Sequence, residues 1–590
     1  MDSIRQRPLG AALVSAAFLI FSSLVSLNAR TISAKSAQYA DVNAAVGTAA
    51  DGDTVEVPAG TVSWTSTLVL TKDITLRGQT TVEGRDPRTF AVKEGTVIVD
   101  NVPRERQGRG GAQAKTTPLI YGRFSPEQRP RITGLTFKSG TVTGRGFTSA
   151  LYLEGTCPRL RIDHCSFDRL SRYNLVLRGN LFGVMDHCWA VNDSGNERFW
   201  ITHETYGGLN FGDGSWTDGP RFGSDQAFYV EDCAFIALKG KHGSVDGAGG
   251  MRRVVRHCYF RGGAAVLHGT ESGGRQRGSR MVETYENTFD LRGSGRTGFL
   301  HRAGTGLYWG NTFLTDRDFT RGCQLQAKRQ LNPFRVWGGA NGKNPLDSND
   351  TEGNGTYVAG HAPHLFWSGK SSKAGTDSVT QFGAGWKVNQ WKDFEVTNVR
   401  TDQNSLILSN TSDTLSLAQA WSGVGASGYA PNDPFVIYRL ARASLDQPGM
   451  GKGDLVMGNP PTNKRWLNQQ SEPLYSWLNT RNGSDYGNFF TLPVDAPFPT
   501  IQENRDFFNS VAKFDGSKGV GVGTRAERPA ECAKGVAFWA IDEKRLYVAT
   551  AKNSWTKYYE PFGYPHPLVG AGGGAPPLRE KSPIGSSKAE

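Results

Sequence analysis

Five short segments pair an apolar residue with a polar one: Leu177-Arg178-Gly179, Val245-Asp246-Gly247, Leu267-His268-Gly269, Leu300-His301-Arg302 and Leu325-Gln326-Ala327. In a strand the apolar residue faces a core and its neighbour faces out. Arg178, Asp246, His268, His301 and Gln326 are therefore expected to form one exposed column, about 5 Å apart if the strands stack in register. Imidazoles and a carboxylate at that spacing can exchange protons with a ligand. Beside them run two Gly-rich stretches, Lys241-His242-Gly243-Ser244 and Thr270-Glu271-Ser272-Gly273-Gly274. Glycines at such points let a chain-like ligand approach the backbone closely.

The charge around these segments narrows the ligand. Residues 239–302 hold twelve Lys or Arg and five Asp or Glu, a surplus of seven within a net charge of +12 for the chain. A basic groove suits an extended anionic polymer, and for a uronic-acid polysaccharide the matching reaction is β-elimination. That reaction needs the sugar carboxylate neutralised, a base for the adjacent C–H proton, and an acid for the leaving oxygen. Arg252, Arg275, Arg277 and Arg302, with Lys241 and His242 beside them, are the candidates for binding the carboxylates. His268 or His301 is the candidate base, and Asp246 the group that orients a histidine or shares its proton. A glycoside hydrolase is the second reading, since two carboxylates flanking a bond suffice for it and Asp246 and Glu271 are available, with Glu204 and Asp213 as further candidates. The third is a non-catalytic polysaccharide-binding or adhesin protein, in which Phe199, Trp200, Tyr206 and Trp216 stack on sugar rings or pack a loop onto the body.

A repeat must position these groups. Asp163-His164-Cys165-Ser166-Phe167, Asp186-His187-Cys188-Trp189-Ala190, Glu231-Asp232-Cys233-Ala234-Phe235, Arg256-His257-Cys258-Tyr259-Phe260, Tyr285-Glu286-Asn287-Thr288-Phe289 and Trp309-Gly310-Asn311-Thr312-Phe313 follow one pattern. Their third positions step by 23, 45, 25, 29 and 24 residues. The step of 45 is either two turns or one turn with a long excursion. Gly134-Leu135-Thr136-Phe137 is a weaker earlier copy. Repeats of this length read as coils of a parallel β-helix, in which like residues stack about 4.8 Å apart. The fifth position then stacks Phe on Phe in the core. The third stacks Cys165, Cys188, Cys233 and Cys258 as a ladder of buried free thiols, continued by Asn. Cys157, Cys323 and Cys532 lie outside that column, and His164, His187 and His257 read as structural.

The stretch from Ala37 to about Thr315 resembles the pectin-lyase-like superfamily, and Ile162-Asp163-His164-Cys165-Ser166-Phe167 is similar to the Ile-Asp-His-Cys-Ser segment of pectate lyases. The resemblance implies an all-β fold built on a right-handed parallel β-helix, secreted, acting on polysaccharide. Pectate lyases hold Ca²⁺ with a carboxylate pair on the next turn. Here that strand reads Asn174-Leu175-Val176-Leu177-Arg178, so the calcium site does not transfer. Ca²⁺ stays open at another column, Asp163, Asp186 and Glu231. Its next member is Arg256, which makes a row of ion pairs the simpler account. The superfamily also contains hydrolases and adhesins, so the fold alone does not choose the function.

The remaining segments follow from composition. Gly makes up 73 of 590 residues, well above the usual share of roughly 7%. Residues 1–29 read as a signal peptide, with Arg5 and Arg7 before the apolar run Leu9 to Leu27 and a small residue, Ala29, at the cut; an uncleaved anchor is the alternative. Residues 30–78 read as the cap of the β-helix, with a short helix over Asp41 to Ala50 and strands at Thr54–Val57, Leu68–Leu70 and Ile74–Leu76. The coils are expected over 79–365, a β-rich insertion over 366–440, a return to the coils over 441–515, a small β module over 516–570 and a disordered tail over 571–590. An extracellular or periplasmic monomer follows, with an anionic polysaccharide as partner, no nucleic acid and no stable membrane insertion.

Overall fold

The computed structural model describes residues 29–104, 117–141, 149–170, 173–192, 198–204, 219–238, 243–262, 264–267, 278–293, 298–316, 321–326, 365–401, 403–418, 428–438, 447–451, 470–492 and 501–570. Residues 1–28, nearly all of the expected signal peptide, and residues 571–590 lie outside them.

The chain is all-β, with long parallel sheets compatible with a β-helix. The strands form three parallel ladders that the chain visits in rotation. The first ladder contains Ile120–Phe124, the first part of Ser149–Asp163, the first part of Tyr173–Asp186, Arg198–Glu204, Gly243–Ala248, Ala264–Leu267, Phe299–His301 and Cys323–Leu325. The second contains Arg131–Thr133, the ends of those same two long strands, Phe228–Glu231, Arg252–Arg256, Met281–Tyr285, Thr305–Trp309 and Leu474–Trp477. The third runs from Gly60–Trp64 through Ser166–Asp168 and Thr288–Asp290 to Thr480–Arg481. Cys188 and Cys233 lie on consecutive rungs, because Trp189 pairs with Ala234, so the step of 45 is one turn with a long excursion.

The bend between the second and third ladders explains the repeat. From Gly134 onward its second residue sits in the left-handed region: φ is 51° at His164, 51° at His187, 50° at Asp232, 53° at His257 and 55° at Glu286. Gly134 and Gly310 hold the same position, at 68° and 62°, where a residue without Cβ bears least strain. The third residue points into the corner. The four thiols are buried and unpaired by disulfides. Each lies against backbone carbonyls, as Cys233 Sγ does at 3.2 Å from Glu231 O. From the fifth coil Asn replaces Cys and makes stronger bonds. Asn287 donates to Asn311 Oδ1 at 3.0 Å, and Asn311 donates to Asn479 Oδ1 at 2.9 Å. Asn479 belongs to a further copy of the repeat, Trp477-Leu478-Asn479-Thr480-Arg481, 168 residues beyond Asn311.

The fifth position builds the core. Phe235, Phe260, Phe289 and Phe313 stack with centroids 5.0, 4.6 and 5.1 Å apart. Ala190 interrupts the column, and Trp200 fills the space, its ring 5.1 Å from Phe235. Trp200 is therefore a core side chain, 1% exposed, and no platform for sugar. Tyr206 and Trp216, like the side chain of Phe199, fall outside the described residues. The helix at Tyr39–Thr48 closes one end with Val42, Ala45 and Val46.

Besides two two-stranded ribbons, the described residues form two further sheets. Strands between Leu365 and Tyr438 make a six-stranded antiparallel sheet around Trp386, Trp391, Val396 and Ile437. Val520–Gly523, Ala537–Ala540, Arg545–Ala551 and Ser554–Tyr559 make a four-stranded sheet that packs on the outer face of the second ladder through Trp539, Leu546 and Tyr559. No described helix is long and apolar enough to cross a membrane.

Removing an amide from the Asn column leaves buried donors and acceptors without partners. Asn311→Leu is expected to lower unfolding stability by roughly 2–4 kcal/mol in chemical denaturation, with Asn311→Cys, the residue of the earlier coils, costing clearly less.

Candidate functional site

The first ladder alternates except at a register shift between Phe199 and Ile201, where Trp200 and Ile201 both enter the core, and its register assigns the other side chains to a face. Leu151, Leu175, Ile201 and Val245 share one inward row; Leu153, Leu177, His203, Gly247 and His301 share another, two residues on. The outward rows are Tyr121, Tyr152, Val176, Thr202 and Asp246, and, beyond it, Arg123, Glu154 and Arg178.

The anticipated single column is corrected by this register. Arg178 faces out, in the row where Glu204 is its partner on the next strand. Asp246 faces out but one row earlier, because Val245 aligns with Leu175 and not with Leu177. It is 2% exposed, with an oxygen accepting from the Gly247 amide at 2.7 Å. His301 faces in. Phe299 and His301 take the inward positions and Leu300 the outward one, a one-residue slip that reverses the face. His301 is fully buried, with Nδ1 2.8 Å from Tyr308 Oη and Nε2 3.2 Å from Gly304 O. Burial lowers its pKa to about 4, so it is neutral and beyond the reach of a polymer. His268, Glu271, Arg275, Arg277, His242, Lys241 and Asp213, and the side chain of Glu204, lie outside the described residues.

The anticipated basic groove is corrected as well, since most of the described cations in it are already engaged. Arg252 is buried and donates to Gly219 O. Arg253 points into the core, where it donates to the carbonyls of Asp246 and Val245, the latter at 3.1 Å. Its burial, and that of His203 beside it, lowers both pKa values, to about 10 and about 3. Arg256 pairs with Glu231 at 2.6 Å and Arg280 with Glu472 at 2.6 Å. Arg302 is half-buried and donates to Gln326 Oε1 at 3.2 Å.

The acidic column is a row of ion pairs. Arg131 holds Asp163 with two bonds of 2.7 Å, Arg161 holds Asp186 at 3.0 and 3.1 Å, and Arg256 holds Glu231. The C-terminal segment lies across this row: Arg256 donates to Phe562 O and Gly563 O, Arg161 to Leu568 O, and His566 N donates to Glu231. His164 and His187 stack at 5.1 Å and bond their own neighbours Asp163 and Asp186, and His257 lies 3.7 Å under Tyr564. Among the described residues no group of three His, Cys, Asp or Glu is placed to hold a metal ion.

What remains on the outer face of the first ladder is a small charged surface around one partly exposed ring. Tyr121, half-buried, stacks on Tyr152 with centroids 5.9 Å apart, and Tyr152 is itself buried, as are Val176, Thr202 and Asp246 along its row. Tyr121 Oη donates to Glu154 Oε1 at 2.5 Å, and Arg178 donates to Tyr152 Oη at 3.2 Å. Arg123, 72% exposed at its side chain, stands 3.9 Å from the same Glu154 oxygen. Burial and the Glu154 carboxylate push the Tyr121 hydroxyl up to about 12, so it stays protonated. The alternation Leu151-Tyr152-Leu153-Glu154 was the signal for this surface in the sequence. Comparison with protein-family models and with curated proteins finds no match to the chain.

One buried carboxyl on the second ladder titrates near neutrality. Glu283 lies beneath the C-terminal sheet, accepts from Gly223 N at 2.7 Å, and is raised by burial to about 7. The folded state therefore holds this proton more tightly than the unfolded chain does. Its contribution to stability is complete below the ordinary carboxyl range and is lost as pH rises through 7. Glu283→Gln should match the parent below pH 4.5 and exceed it at pH 8, by on the order of 3 kcal/mol; thermal unfolding across that range measures it, and parallel curves would refute it.

Proposed function

We propose that this chain is a secreted, monomeric, right-handed parallel β-helix enzyme of the pectin-lyase-like kind that cleaves an acidic polysaccharide by β-elimination. Parallel crossover connections are right-handed in about 98% of cases, which supports the handedness. The observation that carries the function is the outward face of the first ladder, where the half-buried ring of Tyr121, resting on buried Tyr152, lies beside exposed Arg123 and half-buried Glu154 and Arg178. Aromatic faces pack on sugar rings, and guanidinium forks hold carboxylates.

In this reading Arg178 and Arg123 bind uronate carboxylates, making the neighbouring C–H more acidic. A base takes that proton, the bond to the leaving oxygen breaks, a C=C bond forms, and the oxygen receives a proton. His268 is the sequence candidate for the base, and buried His301 is withdrawn from that role. Glu154 holds the Tyr121 hydroxyl and keeps the aromatic pair in place. The engaged tyrosine hydroxyls also favour a second reading, a surface that binds the polymer without cleaving it.

Purified protein incubated with polyuronates should generate ultraviolet absorbance from the unsaturated product. Arg178→Ala should lower kcat/KM by about 10²-fold or more, and Tyr121→Ala by about tenfold, mainly through KM. Reducing ends without absorbance would replace elimination by hydrolysis. Retention of polymer with neither signal would favour the binder.

A further inference from the structure

A cavity lies away from the first-ladder face, between the second ladder and the C-terminal four-stranded sheet. Its volume is about 670 Å³, within the range of sites for ligands of a few rings. Tyr475 and Phe508 form one wall, stacked at 5.3 Å from adjacent rungs. Tyr558 of the C-terminal sheet meets Tyr475 edge to face at 5.8 Å, Val548 and Thr550 continue the lining from that sheet, and Gln470 and Ser471 supply exposed amide and hydroxyl groups.

The charges sort themselves. Glu472 is held by Arg280 through bonds of 2.6 and 3.1 Å, and Asp506 by Arg505 at 2.6 Å. Both acids are thereby neutralised. Lys534 stands exposed at the cavity and pairs with no acid among the described residues. The remaining charge in the cavity is thus a single ammonium beside aromatic walls and neutral hydrogen-bonding groups.

We propose that this cavity binds a short stretch of acidic oligosaccharide as an ancillary site, with a sugar carboxylate on Lys534 and a ring against the partly exposed Tyr558. The acidic character of the ligand rests on the function proposed above, while the cavity is independent of the first-ladder face. An ammonium on a flexible stem meets a carboxylate as a point charge, and the amide and hydroxyls take sugar hydroxyls. Such a site holds a polymer on the protein between encounters at the first ladder and raises its effective concentration there.

Trigalacturonate is the probe, titrated calorimetrically into the full chain carrying Arg178→Ala, so that the first-ladder face is disabled. Binding is expected to persist in this background and to weaken at least tenfold when Lys534→Glu is added. Ser471→Trp, an exposed position that fills the cavity, should abolish it. Binding lost with Arg178→Ala alone would place all recognition on the first ladder and overturn the ancillary site, leaving the functional reading intact. Binding unchanged by both cavity substitutions, or absent from every variant, would also overturn it. Elimination by the parent protein, followed separately by absorbance, reports on the functional reading whichever way the titration falls.

Discussion

The left-handed residue at the bend between the second and third ladders is the constraint from which the structure follows. It turns the chain sharply at the same point on each coil from Gly134 onward and drops the next side chain into the corner. A coil so shaped has no partner of its own for its peptide groups; it must give them to the coils on either side. Register is then inherited from rung to rung, and like positions meet like positions. The thiols fill the corner by size and polarizability, with long contacts to carbonyls. The asparagines that follow add amide bonds along the column and carry it across the long insertion to Asn479.

Uniform register makes each outward row continuous, and the rows of the two ladders differ in what they carry. On the second ladder the row begins with ion pairs and continues as Tyr285, Trp309 and Trp477, stacked at 4.4 and 5.9 Å. The C-terminal sheet and the segment after it cover that row, with Trp539 5.2 Å from both Trp309 and Trp477. On the first ladder Arg123 is exposed and Tyr121, Glu154 and Arg178 are half-buried, while Tyr152, Val176, Thr202 and Asp246 are buried. The covered row explains why a basic chain need not have a basic groove. Its cations are largely structural: Arg131, Arg161 and Arg256 hold carboxylates and backbone carbonyls together.

The repeat was legible because each coil repeats both a backbone requirement and a core side chain, so Cys165 to Phe313 announces the third ladder without ambiguity. The faces of the first ladder were harder to read. Its strands are short, and Gly243–Ala248 has small or apolar residues at both parities, so hydrophobicity alone does not choose between Val245 aligned with Leu175 and Val245 aligned with Leu177. At Phe299-Leu300-His301 the sequence contains two large apolar neighbours, and the larger one takes the core; His301 follows it inward. The copy of the repeat at Asn479 was hidden by its distance along the chain and by Arg481 in place of phenylalanine. Trp200 looked like a surface aromatic because the gap it fills, at Ala190, is on another coil.

The inward turn of His301 has a consequence for any chemistry assigned to this fold. The core at this level contains Arg253, His203, His301 and Tyr308, and the charge of the buried Asp246 carboxylate only partly offsets the desolvation of the guanidinium. Arg253 is also satisfied in part by the carbonyls of Val245 and Asp246, dipoles that cost less to bury than an opposing charge. A second cation beside it would meet both desolvation and repulsion, which is why His203 stays neutral. The interior therefore fixes the strand that carries Asp246 without being able to exchange protons with the outside. Proton transfer to a bound polymer must come from groups on the outer rows and the segments that border them, and it is there that the aromatic and guanidinium side chains of the first ladder are gathered.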